Sequence, residues 1–500
     1  MLYRTDFERT QSKEYGYSIV RVDTRGIGKS EGKLDPFGLE RCQEIQDDAE
    51  GQGKMFPFLS HIFDVLATRA DQSLFPSDLY DVIEWIGTQP WNTGRVAMAG
   101  ISYYGMVGYW AAMQQPPHLT CVLSYESASD LHQSARRGGV YSSNFHEHWY
   151  NNIVVPSQHG ANDGVEAAEM AANRIDYNKI CENSEYADQG PWPVLRKARD
   201  LSSVNIPFYL AGNWTDPELH LPGNILAYNH ISSEHKWLEM HSGNHIANFY
   251  MDDHVAYEKL FLDYFLMDKH DNGMLGVPHV RVLVRHGTKS FFRSEKAFPP
   301  ADAQDMAFYF TANHQLVDSK PSGQPKAFEY AGLEGRASFD SAPFDESFEI
   351  LGTPYLEVDV STEAEDFDLF VYLRAIDTNG DCVILPGNHG EPSVSFCRGY
   401  WRLSHRDENQ AFLQDRYPRL IPVVRSPVEK GKVYSVVVPL MPTSYLFDKG
   451  YKLQVELGSA DEERTIPPMR HTGGDRTSER FGGKNTFFSS GRIVLPRVER

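Results

Sequence analysis

The stretch that decides the fold is residues 95–113, RVAMAGISYYGMVGYWAAM. Its first part is a short apolar run of small residues, typical of a buried strand. Its second part has apolar residues at helical spacing and ends before Pro116. Ser102 lies between the two parts, with Gly100 before it and Gly105 after it. A sharp turn from strand to helix strains the backbone at such a serine and exposes its hydroxyl, and the helix N-terminus directs free N–H groups at it. The stretch therefore predicts a nucleophile elbow, with Ser102 as the nucleophile.

The elbow pattern alone has low specificity. Its general form is Gly-x-Ser-x-Gly, whereas here the second glycine falls one place late and Tyr104 occupies its slot. A plain strand, turn and helix would fit these residues equally well. The rest of the chain must therefore decide between the two interpretations.

Two later strands are each followed by a residue that could assist the serine. Residues 206–216, IPFYLAGNWTD, end in Asp216, and residues 235–245, HKWLEMHSGNH, end in His245. Serine needs a histidine to take its proton and an acid to orient that histidine, and the order Ser, Asp, His is that of an α/β-hydrolase fold. Two alternatives stay open: Asp216 as the cap of a helix that begins near Glu218, and His241 as the base in place of His245.

The region before the elbow contains a strand-like run, residues 17–22 (YSIVRV), followed by the glycine-rich DTRGIGKSEG of residues 23–32. A phosphate-binding loop would require a glycine where the chain has Asp23, so we interpret this sequence as a turn at the end of a strand. Residues 40–50 are polar and helical, and a helix resumes at residues 78–86. For the segment from about residue 53 to 76, an inserted surface helix and non-coding sequence translated through a faulty gene model both stay open.

The composition divides the chain into three zones. Residues 125–205 read as polar helices without strands, and an insertion of this kind between core strands usually forms a cap over an active site. From Val277 onward, short alternating runs separated by turn residues indicate a jelly-roll β-sandwich. We therefore expect an α/β core of residues 1–124 and 206–275, a helical cap of residues 125–205 and a C-terminal all-β domain of residues 276–500.

Charge and cysteine content exclude several classes of protein. The chain has 48 Lys and Arg against 68 Asp and Glu, a formal net charge of −20, which argues against a general affinity for nucleic acid or anionic membranes. The five cysteines lack C-x-x-C spacing and fit free thiols in a reducing compartment, with a Cys382–Cys397 bridge as the alternative. No apolar leader and no 18-residue apolar run occurs. We expect a cytoplasmic protein. Whether it forms a homo-oligomer stays open.

Several motifs together resemble the CocE/NonD hydrolase family, which includes bacterial cocaine esterase, α-amino-acid ester hydrolases and X-Pro dipeptidyl-peptidases. The motifs are Asp23-x-Arg-Gly-x-Gly-x-Ser-x-Gly32, Trp85-x-x-x-Gln-Pro-Trp91, Gly100-x-Ser-Tyr-x-Gly105, Trp214-x-Asp216, His245, Gly352-x-Pro-x-Leu356 and Phe447-Asp-Lys-Gly-Tyr-Lys-Leu453. The late glycine of the elbow belongs to this family's own pattern. The resemblance implies an α/β-hydrolase core, a helical cap and a C-terminal jelly roll of the galactose-binding-like kind.

One departure from the family concerns the oxyanion hole. Family members carry further strands before an Arg-Thr-Pro-Tyr-like segment, whose tyrosine hydroxyl stabilises the oxyanion. Here that segment is Arg4-Thr-Asp-Phe7, with Phe7 in the tyrosine's place, and Tyr3 could substitute only if the register slips. One oxyanion donor contributes about 3–4 kcal/mol to transition-state stabilisation, so its loss would slow the reaction by about two or three orders of magnitude. The Tyr103 backbone N–H stays available as a donor.

The resulting hypothesis is a serine hydrolase acting on a small ester or amide, or a short peptide, through an acyl-enzyme. Ser102 is the nucleophile, His245 the base and Asp216 the orienting acid, with no metal or cofactor. Phe7, Glu126, Asp130 and Trp214 are candidate substrate-pocket residues. A peptidase needs a carboxylate for the substrate amine, which Glu126 or Asp130 could supply; we favour an esterase or amidase over an X-Pro dipeptidyl-peptidase. The rival is a non-catalytic protein whose jelly roll binds carbohydrate or a partner.

Overall fold

The computed structural model describes residues 15–55, 75–197, 201–216, 219–287, 289–416 and 423–499. Phe7, Tyr3 and most of the 53–76 segment lie outside the described residues, so the predictions made for them stay predictions. Among the described helices, none is long and apolar enough to cross a membrane.

A six-stranded sheet forms the core, in the order β1-β2-β5-β6-β7-β8. The strands are β1 Val96–Ile101, β2 Leu119–Tyr125, β5 Phe208–Asn213, β6 Lys236–His241, β7 Val280–Val284 and β8 Phe291–Glu295. All neighbours pair in parallel except β7 and β8, which are antiparallel. β2 and β5 are apolar and buried along almost their whole length, as expected for parallel strands covered on both faces.

Five helices accompany this sheet: α1 Leu39–Met55, α2 Phe75–Gly87, α3 Tyr103–Gln114, α9 Leu221–His230 and α10 Asp252–Leu266. Because the strands are parallel, the C-terminal ends of β1, β2, β5 and β6 lie along one edge of the sheet. In open α/β sheets ligands bind at this edge. The residues that follow these four ends are therefore the ones to inspect for a site.

The predicted cap consists of short helices and one small ribbon. The helices are α4 Leu131–Ala135, α5 Ser143–Trp149, α6 Ala167–Ala172, α7 Tyr177–Asn183 and α8 Trp192–Lys197. The ribbon pairs β3 Arg136–Arg137 with β4 Val140–Tyr141, which the sequence analysis did not foresee. Gly138 and Gly139 allow it because both have positive φ, 55° and 87°, as a two-residue hairpin turn requires.

The C-terminal region is all-β, as predicted. Twelve strands join in one sheet: β9 Gln304–Phe310, β10 Gln315–Val317, β11 Ala327–Ala331, β12 Arg336–Ser341, β13 Phe348–Gly352, β14 Tyr355–Thr362, β15 Asp368–Ile376, β16 Cys397–Arg402, β17 Tyr434–Pro439, β18 Thr443–Phe447, β19 Lys452–Gly458 and β20 Lys484–Val498. We call residues 304–499 the β-domain. It also contains the short helices α11 Phe412–Asp415 and α12 Ser478–Phe481. Its core is a large cluster of buried Phe, Leu and Val side chains.

The core sheet continues past the expected domain boundary at residue 276. β7 and β8 follow it in sequence but belong to the core sheet, where Val280 pairs in parallel with Leu238 of β6. The alternating pattern of residues 279–284 was interpreted as a sandwich strand, yet a strand near the edge of a parallel sheet shows the same alternation. The core sheet therefore extends to about residue 295.

A second correction concerns residues 17–22. They form no strand in the structure, and Ile19, Val20 and Val22 are 45%, 39% and 51% exposed. Among the described residues, β1 is hydrogen-bonded to β2 alone, so one edge of β1 is open. An apolar run becomes a strand only where a neighbouring strand accepts its hydrogen bonds, and no described strand stands beside this run.

A buried ion cluster joins the cap to the β-domain. Glu185 of the cap contacts Arg402 at 2.9 Å and Arg480 at 2.8 Å, both through Oε1. Arg136 of the cap donates to Asp475 of the β-domain at 3.0 Å. The Arg402 side chain is fully buried. These pairs lie across the contact between the cap and the β-domain, so the loss of either partner would leave a buried charge uncompensated.

Candidate active site

Ser102 sits in the sharp turn that the sequence predicts. It has φ 59° and ψ −123° and stands between β1 and α3. Its N–H donates to the Tyr125 carbonyl at 2.9 Å, which anchors the turn on β2. A Cβ at Gly100 would lie 2.4 Å from the Tyr104 Cβ, and one at Gly105 would lie 2.9 Å from the Gly100 carbonyl oxygen. Both glycines are therefore required by close approach.

Tyr103 begins α3, directly after the serine. Its N–H belongs to the first turn of the helix, the position at which a donor to a developing oxyanion is expected. Its side chain points elsewhere: the hydroxyl donates to the Pro36 carbonyl at 2.5 Å, and the ring packs against Phe37 and Trp149. Tyr103 thus ties the elbow to the cap.

The histidine that reaches the serine is His220. Its Nε2 lies 3.2 Å from Ser102 Oγ, and its Nδ1 is hydrogen-bonded to Asp216 Oδ2. Asp216 follows β5, and α9 begins at Leu221 with His220 at its N-cap, so Asp216 does not cap that helix. Burial alone would raise the pKa of Asp216, but the charge and hydrogen bond of His220 hold it below its ordinary value.

His245, the base proposed from the sequence, lies beside this array and not within it. Its Nδ1 is 2.7 Å from Glu126 Oε2, and its ring stacks on His220 at 5.1 Å between centroids and 5° between planes. The structure therefore brings Ser102 and Asp216 together but inserts His220 between them. The signal that could have revealed His220 is its spacing, four residues after Asp216 at a helix start.

Glu126 follows β2 with φ 39° and is 1% exposed. Besides the His245 contact, its Oε1 lies 2.8 Å from His241 Nε2 and accepts a hydrogen bond from Asn213 at 3.1 Å. Burial would raise its pKa, but the hydrogen bonds from His241 and His245 outweigh burial and lower it. Glu126 is therefore an ionised partner of two histidines.

The other candidate pocket residues also have internal partners. Asp130 caps α4, where its side chain accepts from the His132 and Gln133 N–H groups. Trp214 is buried in the core, and its indole N–H donates to the Leu283 carbonyl at 2.8 Å. With Glu126 held by histidines, none of these three side chains lies free for substrate.

Among the described residues, two groups of side chains have the spacing of metal ligands. In Asp216, His220 and His245 the donor atoms all lie within 4.8 Å of one another, and the same holds for Glu239, His241 and His254. Each group has protein partners of its own. In the second, Glu239 Oε2 accepts from Tyr209 at 2.8 Å and from Arg281 at 2.7 Å. Residues of both groups thus also form hydrogen bonds or ion pairs within the protein.

The β-domain also reaches the site. His389 stacks on His245 at 5.2 Å and meets Phe145 of the cap edge-on at 5.9 Å. The His245 N–H donates to the Asn388 carbonyl at 3.0 Å. Burial lowers the pKa of His389. Core, cap and β-domain therefore all border the space around Ser102, a contribution that sequence analysis did not identify.

Comparison with known proteins agrees with this architecture. Residues 70–247 match the X-Pro dipeptidyl-peptidase (S15) family, and residues 272–492 match the X-Pro dipeptidyl-peptidase C-terminal non-catalytic domain. Cocaine esterase from Rhodococcus sp. is 22% identical over 89% of this chain and 81% of its own length.

Solved structures show the same fold. A CocE/NonD family hydrolase from Staphylococcus aureus superposes with a TM-score of 0.76 at 23% identity, covering 95% of this chain and 78% of its own. An aminopeptidase from a Thaumarchaeota archaeon gives a TM-score of 0.63 at 16% identity, covering 84% and 79%. The matches to the S15 catalytic and C-terminal families, on a chain with this fold and elbow, show that it belongs to the CocE/NonD family of hydrolases.

Proposed function

We propose that this hydrolase is a serine hydrolase, which cleaves an ester or amide through an acyl-enzyme on Ser102. The observation that carries the proposal is the contact of Ser102 Oγ with His220 Nε2 at 3.2 Å, with Asp216 hydrogen-bonded behind the imidazole. A strained serine, a histidine in reach and a carboxylate that orients it are the parts that activate a serine hydroxyl.

The chemistry follows from these contacts. His220 takes the hydroxyl proton as Ser102 Oγ attacks the carbonyl carbon, and Asp216 stabilises the imidazolium that forms. We assign the Tyr103 N–H, which follows the serine directly, as the donor to the oxyanion. The tetrahedral intermediate then expels the leaving group, and water attacks the acyl-enzyme by the same route. The mechanism requires no metal or cofactor.

Within this class we favour an esterase or amidase over an X-Pro dipeptidyl-peptidase. A dipeptidyl-peptidase must bind the amino terminus of its substrate, and the two carboxylates considered for that task are both engaged. Glu126 binds His241 and His245, and Asp130 caps α4. The esterase named among the relatives supports the same preference.

His245 is the second candidate for the base. It has its own carboxylate, Glu126, and its ring lies parallel to that of His220. It also occupies the position that the family resemblance assigns to the base. Single substitutions of the two histidines to Asn separate the candidates, because only loss of the true base abolishes attack by Ser102.

The experiment compares the unmodified chain with Ser102→Ala. The substrates are a short p-nitrophenyl ester and an X-Pro-p-nitroanilide, and labelling with a fluorophosphonate reports on the serine. We expect labelling and ester hydrolysis by the unmodified chain, neither by the variant, and no anilide cleavage. Anilide cleavage would assign the dipeptidyl-peptidase activity instead. Folded protein that neither labels nor turns over either substrate would favour the non-catalytic alternative.

A further inference from the structure

A cluster of one carboxylate and two imidazoles joins β6 to α10. Glu239 and His241 are two residues apart on β6, so their side chains lie on the same face of the strand. His254 belongs to the first turn of α10. One donor atom from each of the three residues lies within 4.8 Å of the other two. We call these three residues the β6–α10 cluster.

Each residue of the β6–α10 cluster is buried and has an atom without a hydrogen-bond partner among the described residues. Glu239 and His241 are 1% exposed and His254 is 5% exposed. The atoms concerned are Glu239 Oε1, His241 Nδ1 and His254 Nδ1. Glu239 Oε1 is 2.6 Å from His254 Nδ1 and 3.9 Å from His241 Nδ1, but neither contact has the geometry of a hydrogen bond. Proteins rarely leave buried polar atoms unpartnered, so three such atoms in one place indicate a ligand.

The remaining donor atoms of Glu239 and His241 are held by other residues. Glu239 Oε2 accepts hydrogen bonds from Tyr209 at 2.8 Å and from Arg281 at 2.7 Å. His241 Nε2 lies 2.8 Å from Glu126 Oε1. A histidine that binds a metal through one nitrogen almost always donates its other N–H to a carboxylate or carbonyl, which fixes the orientation of the ring. Glu126 holds His241 in this way and leaves Nδ1 for a metal.

We propose that the β6–α10 cluster binds one zinc ion through Glu239 Oε1, His241 Nδ1 and His254 Nδ1. Imidazole and carboxylate are ordinary ligands of zinc, with bonds of about 2.0–2.2 Å. Ligand atoms around such an ion are at most about 4.4 Å apart, so small rotations of the side chains are enough to form the site. The inference goes beyond the proposed function, because the ion takes no part in the serine mechanism and instead fastens the end of β6 to α10.

The face of α10 also offers a fourth ligand. Glu258 follows His254 by four residues, so the two side chains lie on the same face of the helix. Glu258 is 2% exposed, and its Oε1 has no hydrogen-bond partner in the part of the chain that the structure describes. Structural zinc sites have four ligands. We assign the fourth position to Glu258, which reaches the ion by rotation of its side chain.

The other group with metal-ligand spacing is less suited to an ion. In Asp216, His220 and His245, Nδ1 of each imidazole is already hydrogen-bonded to a carboxylate. In the β6–α10 cluster the Nδ1 atoms of both imidazoles have no such bond. Zinc and a proton compete for the same nitrogen, so zinc binding releases protons, and His241 can carry a proton in place of the ion in chelator-treated protein.

The test measures zinc itself. The full chain is purified without a metal-affinity step, and its zinc content is determined by plasma mass spectrometry. We expect about one zinc ion per chain, and we expect chelator-treated protein to bind added zinc with a rise in Tm. His254→Asn should lower the affinity for zinc by more than about 100-fold, because loss of a ligand costs more than the 10–100-fold that follows the loss of a residue behind a ligand.

Two matched variants serve as controls. His220→Asn removes an imidazole of the other group, and His118→Asn removes one whose Nδ1 lies 2.7 Å from Glu84. Both variants should keep their zinc. Zinc that is lost in His220→Asn but kept in His254→Asn would place the ion in the other group and overturn the inference. Zinc kept in all three variants would show that it binds elsewhere, with the same consequence.

A measurement on the unmodified chain covers the case in which His254→Asn does not fold. Chelator-treated protein titrated with Co²⁺ should show the visible absorption of a tetrahedral Co²⁺ site, and zinc should abolish this absorption by displacing Co²⁺. Folded, chelator-treated protein that binds neither ion would overturn the inference and leave the β6–α10 cluster as a set of ion pairs that share protons.

Discussion

At the scale of single residues, the serine's backbone conformation is maintained by what surrounds it. A non-glycine residue at φ 59° and ψ −123° is strained by about 1–3 kcal/mol and persists only where neighbours enforce it. Here the Tyr125 carbonyl holds the Ser102 N–H, and two glycines admit the approach of backbone. The turn is therefore set by contacts on both sides of the serine.

Gly105→Ala tests this constraint. The new Cβ would meet the Gly100 carbonyl oxygen and the Ser127 Cβ at 2.9 Å, so the elbow must shift. We expect a loss of about 1–3 kcal/mol in the free energy of unfolding. The acylation rate should fall by a larger fraction than the stability does. Denaturant titration measures the free energy of unfolding, and stopped-flow ester hydrolysis measures the acylation rate.

Gly276→Ala is the control, because nothing lies within 4 Å of a Cβ there and its φ is not positive. It should leave both quantities unchanged. If Gly105→Ala behaves the same way, close approach does not hold the elbow.

Sequence reasoning reached part of the site. Ser102 and the need for both glycines could be predicted because local backbone geometry dictates them. Asp216 could be predicted from its place after a strand, and the structure puts it close to Ser102 through His220. His220 could not be predicted from the sequence. The order of residues along the chain does not say which of several histidines a turn directs at the serine. The pairing of Glu126 with His245 could not be predicted either, because the two residues lie 119 positions apart in the chain.

At the scale of elements, the ends of β2 and β6 are joined by buried charge. His241 closes β6 and is 1% exposed, and its Nε2 lies 2.8 Å from Glu126 Oε1 at the end of β2. Burial lowers the pKa of His241, but the Glu126 hydrogen bond and the neighbouring Glu239 outweigh it and raise the pKa to about 9. A charged imidazole therefore helps to hold the strand ends that carry the site.

His241→Gln tests this link. We expect a loss of about 3–5 kcal/mol in the free energy of unfolding near pH 6, because Glu126 keeps its charge and loses a partner. Folding raises the pKa of His241 above the value of about 6.5 for an unfolded histidine. The contribution of its charge to the free energy of unfolding is therefore complete below that pH and is lost as the pH rises through about 9.

The measurement is denaturant unfolding of both chains from pH 6 to 10. The difference between unmodified chain and variant should shrink towards the alkaline end. A difference that stays constant over this range would mean that His241 stabilises the fold by packing alone.

The element predictions failed where tertiary pairing decides the outcome. Residues 17–22 have a strand's composition but no described neighbour to pair with, and β7 has a sandwich strand's alternation but pairs in parallel with β6. The β3–β4 ribbon depends on two glycines whose positive φ values are not visible in the composition. Helix α2 was predictable because its apolar residues recur at helical spacing, which is a local pattern. Helix α3 has no such apolar face, since residues 105–112 are all buried.

At the scale of the whole molecule, Glu185 is one of the residues that attach the cap to the β-domain. Burial raises the pKa of this carboxyl, but hydrogen bonds with His405 and Arg480 and the charge of Arg402 outweigh burial and lower it. Asp475 behaves likewise: Arg402 and Arg136 outweigh burial and lower its pKa to about 2. Both carboxylates stabilise the folded state above the pKa values of about 4 that they have when unfolded, and this contribution is lost as the pH falls.

Glu185→Gln should loosen the cap. We expect a loss of about 3 kcal/mol in the free energy of unfolding at pH 7, with faster proteolysis between residues 125 and 205, because three basic side chains lose the negative charge that they share. Thermal unfolding at pH 7 and pH 4 tests this pH dependence. The difference in stability between the unmodified chain and the variant should be smaller at pH 4.

Glu329→Gln provides the comparison, because its pair with Lys484 is solvent-exposed on both sides. It should change stability by no more than about 0.5 kcal/mol. Equal effects of the two substitutions would deny the cluster a special role.

The stack of His389 on His245 has a consequence for the order in which the enzyme is made. The ribosome releases the candidate site residues long before it releases residue 389. A nascent chain therefore holds these residues before it holds the contacts that the β-domain supplies. During translation His245 would therefore lack its contacts with residues 388 and 389 until the β-domain has been synthesised and has folded back onto the core.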